Sequence, residues 1–203
     1  MIGISKHYKK VTLSKRQTES LLKDQQHPQN EHYLQCGCGL IMGKGSYHLK
    51  MVSDNEVVAV CPLCTYPEQI DKISSPNMGS LVFMPEMTQQ QVNAFALYSA
   101  FINEFDDPDL EDLVDDMSAV MQKRREVLEN THGEGIGDPA IFCQFLYLMT
   151  DEEYENRASF VKHIRYIPSK SVLLEDLRFL KTNILKAYDP KKWRSMLQSL
   201  HKK

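Results

Sequence analysis

The 203-residue chain holds no apolar run near the roughly 20 residues needed to cross a bilayer. Its first residues, MIGISKHYKKVTLSKRQ, lack the continuous apolar core of a signal peptide. The expectation is a chain that is not exported, does not insert in a membrane and stays in the cytoplasm. Charge of one sign is also missing. Lys and Arg number 24 against 27 Asp and Glu, a net charge of -3, which gives no general case for nucleic acid or an anionic bilayer as partner. Internal repeats and low-complexity tracts are absent, and the polar run from Asp24 to Asn30 reads as a linker or loop. What remains is an ordinary globular composition, 42% hydrophobic and 25% charged.

Cysteine is scarce but clustered. Four of the five lie in two tight pairs, Cys36-Gly37-Cys38-Gly39 and Cys61-Pro62-Leu63-Cys64. Thiolates this close are costly neighbours unless a divalent ion neutralises them. In a reducing compartment, two such pairs on either side of a hairpin-length spacer point to one structural Zn²⁺ held by Cys36, Cys38, Cys61 and Cys64. The second pair has the usual knuckle spacing. The first is one residue shorter, so His32 or His48 stands as an alternative to Cys36 for the fourth position. Four thiolates leave no place for a catalytic water. The fifth, Cys143, sits among Phe142, Phe145 and Leu146 and reads as a packed core residue.

Taken in order, the chain predicts an α+β fold: a small zinc-bound β-hairpin module followed by a mainly helical body. Residues 1–30 form a basic arm carrying Lys6, Lys9, Lys10, Lys15 and Arg16, with a short helix at Leu21 and Leu22. Residues 31–80 form the zinc module, with strands at Tyr47–Met51 and Val57–Val60 around a turn at Ser53-Asp54-Asn55. Residues 81–203 are mainly helical and pack on the module as one unit. Leu81–Met84 is a short strand, and Thr88 with Gln91 opens a helix through a capping box. Eight carboxylates between Glu104 and Asp116 crowd the exposed face of the next helix, whose apolar stripe is Leu110, Leu113, Val114, Met117, Val120 and Met121. Glycines 133, 135 and 137 form a turn rather than a phosphate loop, since no Gly-Lys-Ser/Thr follows. Asp138-Pro139 caps a helix over 140–149. A further helix is expected from Asp151 to about Tyr166, ended by Pro168. Two amphipathic helices follow from Ser171 and from Asp189-Pro190.

Two resemblances add to this reading. The order of a first knuckle, Tyr47-His48, Asn55 and a second knuckle is similar to HNH nucleases. There a histidine acts as base, an asparagine orients it, and a last histidine beyond the second knuckle holds Mg²⁺. His48 and Asn55 match the first two roles. Thr65, Tyr66 and Pro67 stand where the third belongs, so the resemblance implies a nuclease-like scaffold without its active site and no enzyme activity. Three further blocks follow in order: Ser80–Thr88, Gly133–Phe142 and Ile164–Lys170. With the cysteine region they resemble the IcmJ (DotN) family of Dot/Icm-type type IV secretion systems and related conjugation machines. The short first pair and the different arm mark a divergent member. The resemblance implies a non-catalytic cytoplasmic subunit, held at the inner membrane through its partner. That partner is the cytoplasmic tail of the type IV coupling protein, an inner-membrane ATPase, with other coupling-complex subunits beside it. The alternative is a nucleic-acid-binding zinc protein or residual HNH endonuclease, for which the acidic balance is unfavourable.

Overall fold

The computed structural model describes residues 1–5, 26–27, 30–38, 40–42, 47–53, 56–73, 76–102 and 108–173. The basic segment 6–16, the helix at Leu21 and Leu22, Asn55 and the last expected helix fall outside the described residues. The helix expected from Ser171 is described as far as Leu173.

The fold is α+β, as the sequence predicts. Three short strands, β1 (Gln26–His27), β2 (Asn30–Gln35) and β3 (Ile41–Met42), form an antiparallel sheet in that order. Leu34 on β2 faces Met42 on β3, and both are buried. Next comes a hairpin of β4 (His48–Ser53) and β5 (Glu56–Val60), paired from His48 with Val60 to Met51 with Val57. The β-branched run Val57-Val58 and Val60 favours this extended pairing. A short helix α1 (Pro62–Thr65) and a 3₁₀ segment (Tyr66–Lys72) lead to β6 (Gly79–Phe83).

The helical part starts where its cap is written. Thr88 N donates to Gln91 Oε1 at 2.8 Å, and Gln91 N donates back to Thr88 Oγ1 at 3.3 Å, so α2 (Gln89–Ile102) begins as expected. Helix α3 (Pro108–His132) follows, burying Val114, Met121 and Leu128 at heptad steps while Asp112, Asp115 and Asp116 face solvent. Val120, expected in the apolar stripe, is exposed instead. Helix α4 (Pro139–Leu148) has Asp138 as N-cap, its carboxylate accepting from Ala140 N at 2.8 Å.

One expectation is overturned beyond α4. The single helix from Asp151 to Tyr166 is instead two short helices, α5 (Asp151–Glu155) and α6 (Ala158–Val161), and then a strand, β7 (Ile164–Pro168). Asn156 ends α5 by donating its side-chain amide to Glu152 O at 3.0 Å. From Ile164 the burial alternates with period two, Ile164, Tyr166 and Pro168 pointing inward. That pattern serves a strand, and β7 pairs antiparallel with β6, Leu81 opposite Tyr166. The partner lies more than 80 positions away in the chain, and long-range pairing here overrides local helical preference.

Three clusters of buried side chains hold these elements. The largest joins Leu81, Leu128, Phe142, Leu146, Tyr154 and Tyr166. Ile2 and Ile4, ahead of the basic segment, are each 1% exposed within it. The second joins Leu34, Cys36, Leu63 and Cys61 to Ala96 and Ala100 of α2. The third, Val82, Met84, Val92 and Met121, sits between β6, α2 and α3.

Gly79 on β6 pairs with Pro168 on β7 and leaves no room for a side chain. A Cβ built there would lie 2.3 Å from Ile167 O and 2.6 Å from the Tyr166 ring. Gly79→Ala is expected to cost about 3 kcal/mol, the upper part of the overpacking range. Urea denaturation of the variant checks this, and a loss below about 0.5 kcal/mol would contradict the strand pairing.

Candidate metal centre

The two cysteine pairs are presented by two different local structures. Cys36 follows β2 and its backbone N–H donates to Leu40 O at 2.9 Å, closing a tight loop that carries Cys38. Cys61 is the N-cap of α1, with Pro62 at the first helical position, where its fixed φ and missing N–H are no handicap. Cys64 then returns its N–H to Cys61 O at 3.1 Å, and Thr65 Oγ1 donates to the same carbonyl at 3.2 Å.

These loops bring all four sulfurs within 4.8 Å of one another. Cys36 Sγ lies 3.7 Å from Cys64 Sγ, and Cys38 Sγ 3.6 Å from Cys61 Sγ. A tetrahedral ion about 2.3 Å from each thiolate requires sulfur separations of about 3.8 Å, so the residues fit a bound Zn²⁺. The shortened Cys36-x-Cys38 spacing does not keep either sulfur out of the group. Cys36 and Cys61 are buried and Cys38 and Cys64 half-buried. No pair is bonded as a disulfide; all are free thiols.

The electrostatics of the bare cluster show the strain that a cation would relieve. Hydrogen bonds from Cys38, Cys61 and Cys64 hold the Cys36 thiol well below its ordinary range. Cys61 and Cys64 are pushed up, each first by its hydrogen bond with Cys36. The Cys38 thiol is held below its ordinary range too: its hydrogen bond with Cys36 opposes the shift, and those with Cys61 and Cys64 outweigh it. Full deprotonation needs a positive charge at the centre.

Two residues that sequence reasoning missed support the cluster from α2. Asn93, 1% exposed, donates its amide to Cys64 Sγ at 3.4 Å. Gln89 donates to Asn93 Oδ1 at 2.9 Å and to Tyr166 O at 2.6 Å, while its Oε1 accepts from Tyr166 N at 2.9 Å. The outer contact from Cys61 N to Cys36 Sγ, at 3.4 Å, adds a backbone donor. Amide donors at thiolate sulfur are the usual outer shell of such sites. The available signal was a polar Asn93 beside Val92 on the buried face of α2.

Among the described side chains, His48 takes no part in the group that the structure brings together. His48 begins β4, exposed and opposite Val60. Its imidazole is held below its ordinary range by desolvation, with the Lys72 charge adding to the effect. The side chain of His32 lies outside what the structure describes. Among the described residues, the one group able to hold a metal is Cys36, Cys38, Cys61 and Cys64. Just beyond Cys64, Thr65 is buried on the Cys61 carbonyl, and Tyr66 packs edge-on against Tyr166, ring centroids 6.3 Å apart. Pro67 O accepts from Gly3 N at 2.8 Å. A cavity of about 340 Å³ opens beside Cys36 and Cys64. Its lining includes one carboxylate, Glu68, which is paired with Lys50, and no histidine. Cys143 is buried in the main core, its thiol pushed up to about 11 by burial and by the Asp71 charge, which suits packing and not nucleophilic attack.

No family model matches the chain. The chain is 28% identical over 113 residues to the Type 4 apparatus protein DotN of Legionella pneumophila, a stretch that covers 55% of this chain and 51% of DotN. It thus spans about half the length of that curated relative.

The Asn93 contact has a measurable consequence. Asn93→Ala removes the amide donor to Cys64 Sγ and one of the two acceptors of Gln89 Nε2, and it should lower stability by about 1–3 kcal/mol in urea denaturation. An unchanged midpoint would show that α2 does not support the cluster.

Proposed function

We propose, from the DotN/IcmJ-family assignment that the sequence match supports, that this chain is a non-catalytic subunit of a type IV secretion or conjugation coupling complex. The observation that carries the reading is the cysteine cluster in a chain 28% identical to DotN over 113 residues. Cys36, Cys38, Cys61 and Cys64 are its proposed ligands for one structural Zn²⁺. Bound there, the ion neutralises the thiolates and cross-links the β2–β3 loop to α1. Four cysteine ligands would complete a tetrahedral shell, leaving the side chains of this site to bind and orient the ion rather than to activate water.

The proposed organisation is a basic arm over residues 1–30, a zinc module of HNH-like ancestry over 31–80 and a helical region over 81–203 packed on it. The cluster that joins Cys36 and Cys61 to Ala96 and Ala100 supports treating the last two as one unit. The proposed partner is the cytoplasmic tail of the coupling ATPase, with other subunits of the same complex. Among the described residues no helix is long and apolar enough to cross a membrane; the proposed position is cytoplasmic, held at the inner membrane through that partner.

The test is direct binding of the purified chain to the cytoplasmic tail of the coupling ATPase from the same genome. Micromolar or tighter binding is expected by calorimetry. Absence of binding at low and physiological salt would overturn the partner. Mg²⁺- or Mn²⁺-dependent DNA cleavage lost in His48→Ala would instead favour the residual nuclease.

A further inference from the structure

Helix α4 has the composition of a buried helix but is covered on one face. Pro139, Phe142, Cys143 and Leu146 pack into the main core. Ile141, Phe145 and Leu148, at steps of four and three, form a second apolar stripe that is 44%, 37% and 84% exposed. Tyr147 beside them is 51% exposed. A helix apolar on nearly all sides is ordinarily buried on all sides, and a contiguous exposed apolar stripe marks an interaction surface.

The charge around the stripe is mostly negative, although Lys72 follows Asp71, Arg125 lies at Gly137 and His132 packs on Phe160, which meets Phe145. From residue 133 to 153 the chain has five carboxylates and no Lys, Arg or His. Asp138 caps the first turn of α4, and Glu134 precedes Gly135, whose Cβ position lies 2.9 Å from Ile141 Cδ1. Asp151 and Glu152 stand exposed just beyond Leu148. Asp71, from the 3₁₀ segment, accepts from Tyr147 Oη at 3.2 Å.

We infer that this stripe is a docking surface for a cationic amphipathic helix of another polypeptide. The partner's apolar face covers Ile141, Phe145 and Leu148, and its flanking Lys or Arg side chains meet the carboxylates at both ends of α4. A second copy of this chain is disfavoured, because apposing two such stripes brings like-charged rims together. An anionic bilayer is repelled by the same rim. The inference goes beyond the secretion reading and does not depend on it.

The probe is a labelled leucine–lysine peptide with its leucines on one helical face, titrated into the full chain by fluorescence anisotropy. A leucine–glutamate peptide of the same pattern is the control. The first peptide should bind and the second should not. Ile141→Ser with Leu148→Ser, both at exposed positions, should weaken binding roughly tenfold or more. Asp151→Asn with Glu152→Gln, which leaves the apolar stripe intact, should weaken it by a smaller factor and flatten its salt dependence. Equal binding of both peptides, or unchanged affinity in both variants, would overturn the proposal. A dimer in light scattering that dissociates in the Ser variant would also overturn it, assigning the stripe to a second copy.

Discussion

Four thiol groups within 4.8 Å of one another are the constraint around which the N-terminal half is arranged. Leu34, Leu40, Met42, Ala59, Val60 and Leu63 are buried around them, a small core that the sulfurs sit within. Holding the sulfurs together fixes the loop after β2 against the start of α1, and from there the hairpin β4–β5 feeds directly into Cys61. A cation at that centre converts mutual repulsion among thiolates into a cross-link between two short segments that would otherwise be marginal.

The cluster does not stand apart from the rest of the chain. Asn93 touches Cys64, Gln89 touches Asn93, and Gln89 clasps the backbone of Tyr166 on both its N–H and its carbonyl. Through these two side chains α2 is tied at once to the cysteine unit and to the β6–β7 pair. Tyr166 in turn is fully buried, and its hydroxyl donates to Met78 O at 2.7 Å. The metal-competent region and the helical body therefore share polar as well as apolar contacts. This arrangement suits a subunit that presents a fixed surface more than one that opens and closes.

What could be read from the sequence was what is written locally. The Cys61-x-x-Cys64 knuckle, the Thr88–Gln91 box and the Asp138-Pro139 cap are signals a few residues long, and each appears where expected. β7 was not legible, because Ile164–Pro168 acquires its strand character from β6, far off in the chain. Ile2 and Ile4 were hidden in a start that reads as a basic arm, yet Ile4 N donates to the buried Tyr154 hydroxyl at 2.9 Å. Helix α4 shows the converse. Its near-continuous apolar sequence predicts burial, and no local signal told which face the core would leave uncovered. Asn93 shows the same limit at the cluster itself, since its role depends on a sulfur 29 positions earlier.

The central claim is a closed, all-cysteine zinc site, and X-ray absorption at the zinc edge of the purified chain tests it most directly. The account predicts one zinc per chain with four sulfur neighbours at about 2.3 Å and no nitrogen or oxygen in the first shell. A shell containing imidazole nitrogen or water, or a folded chain without metal, would contradict it.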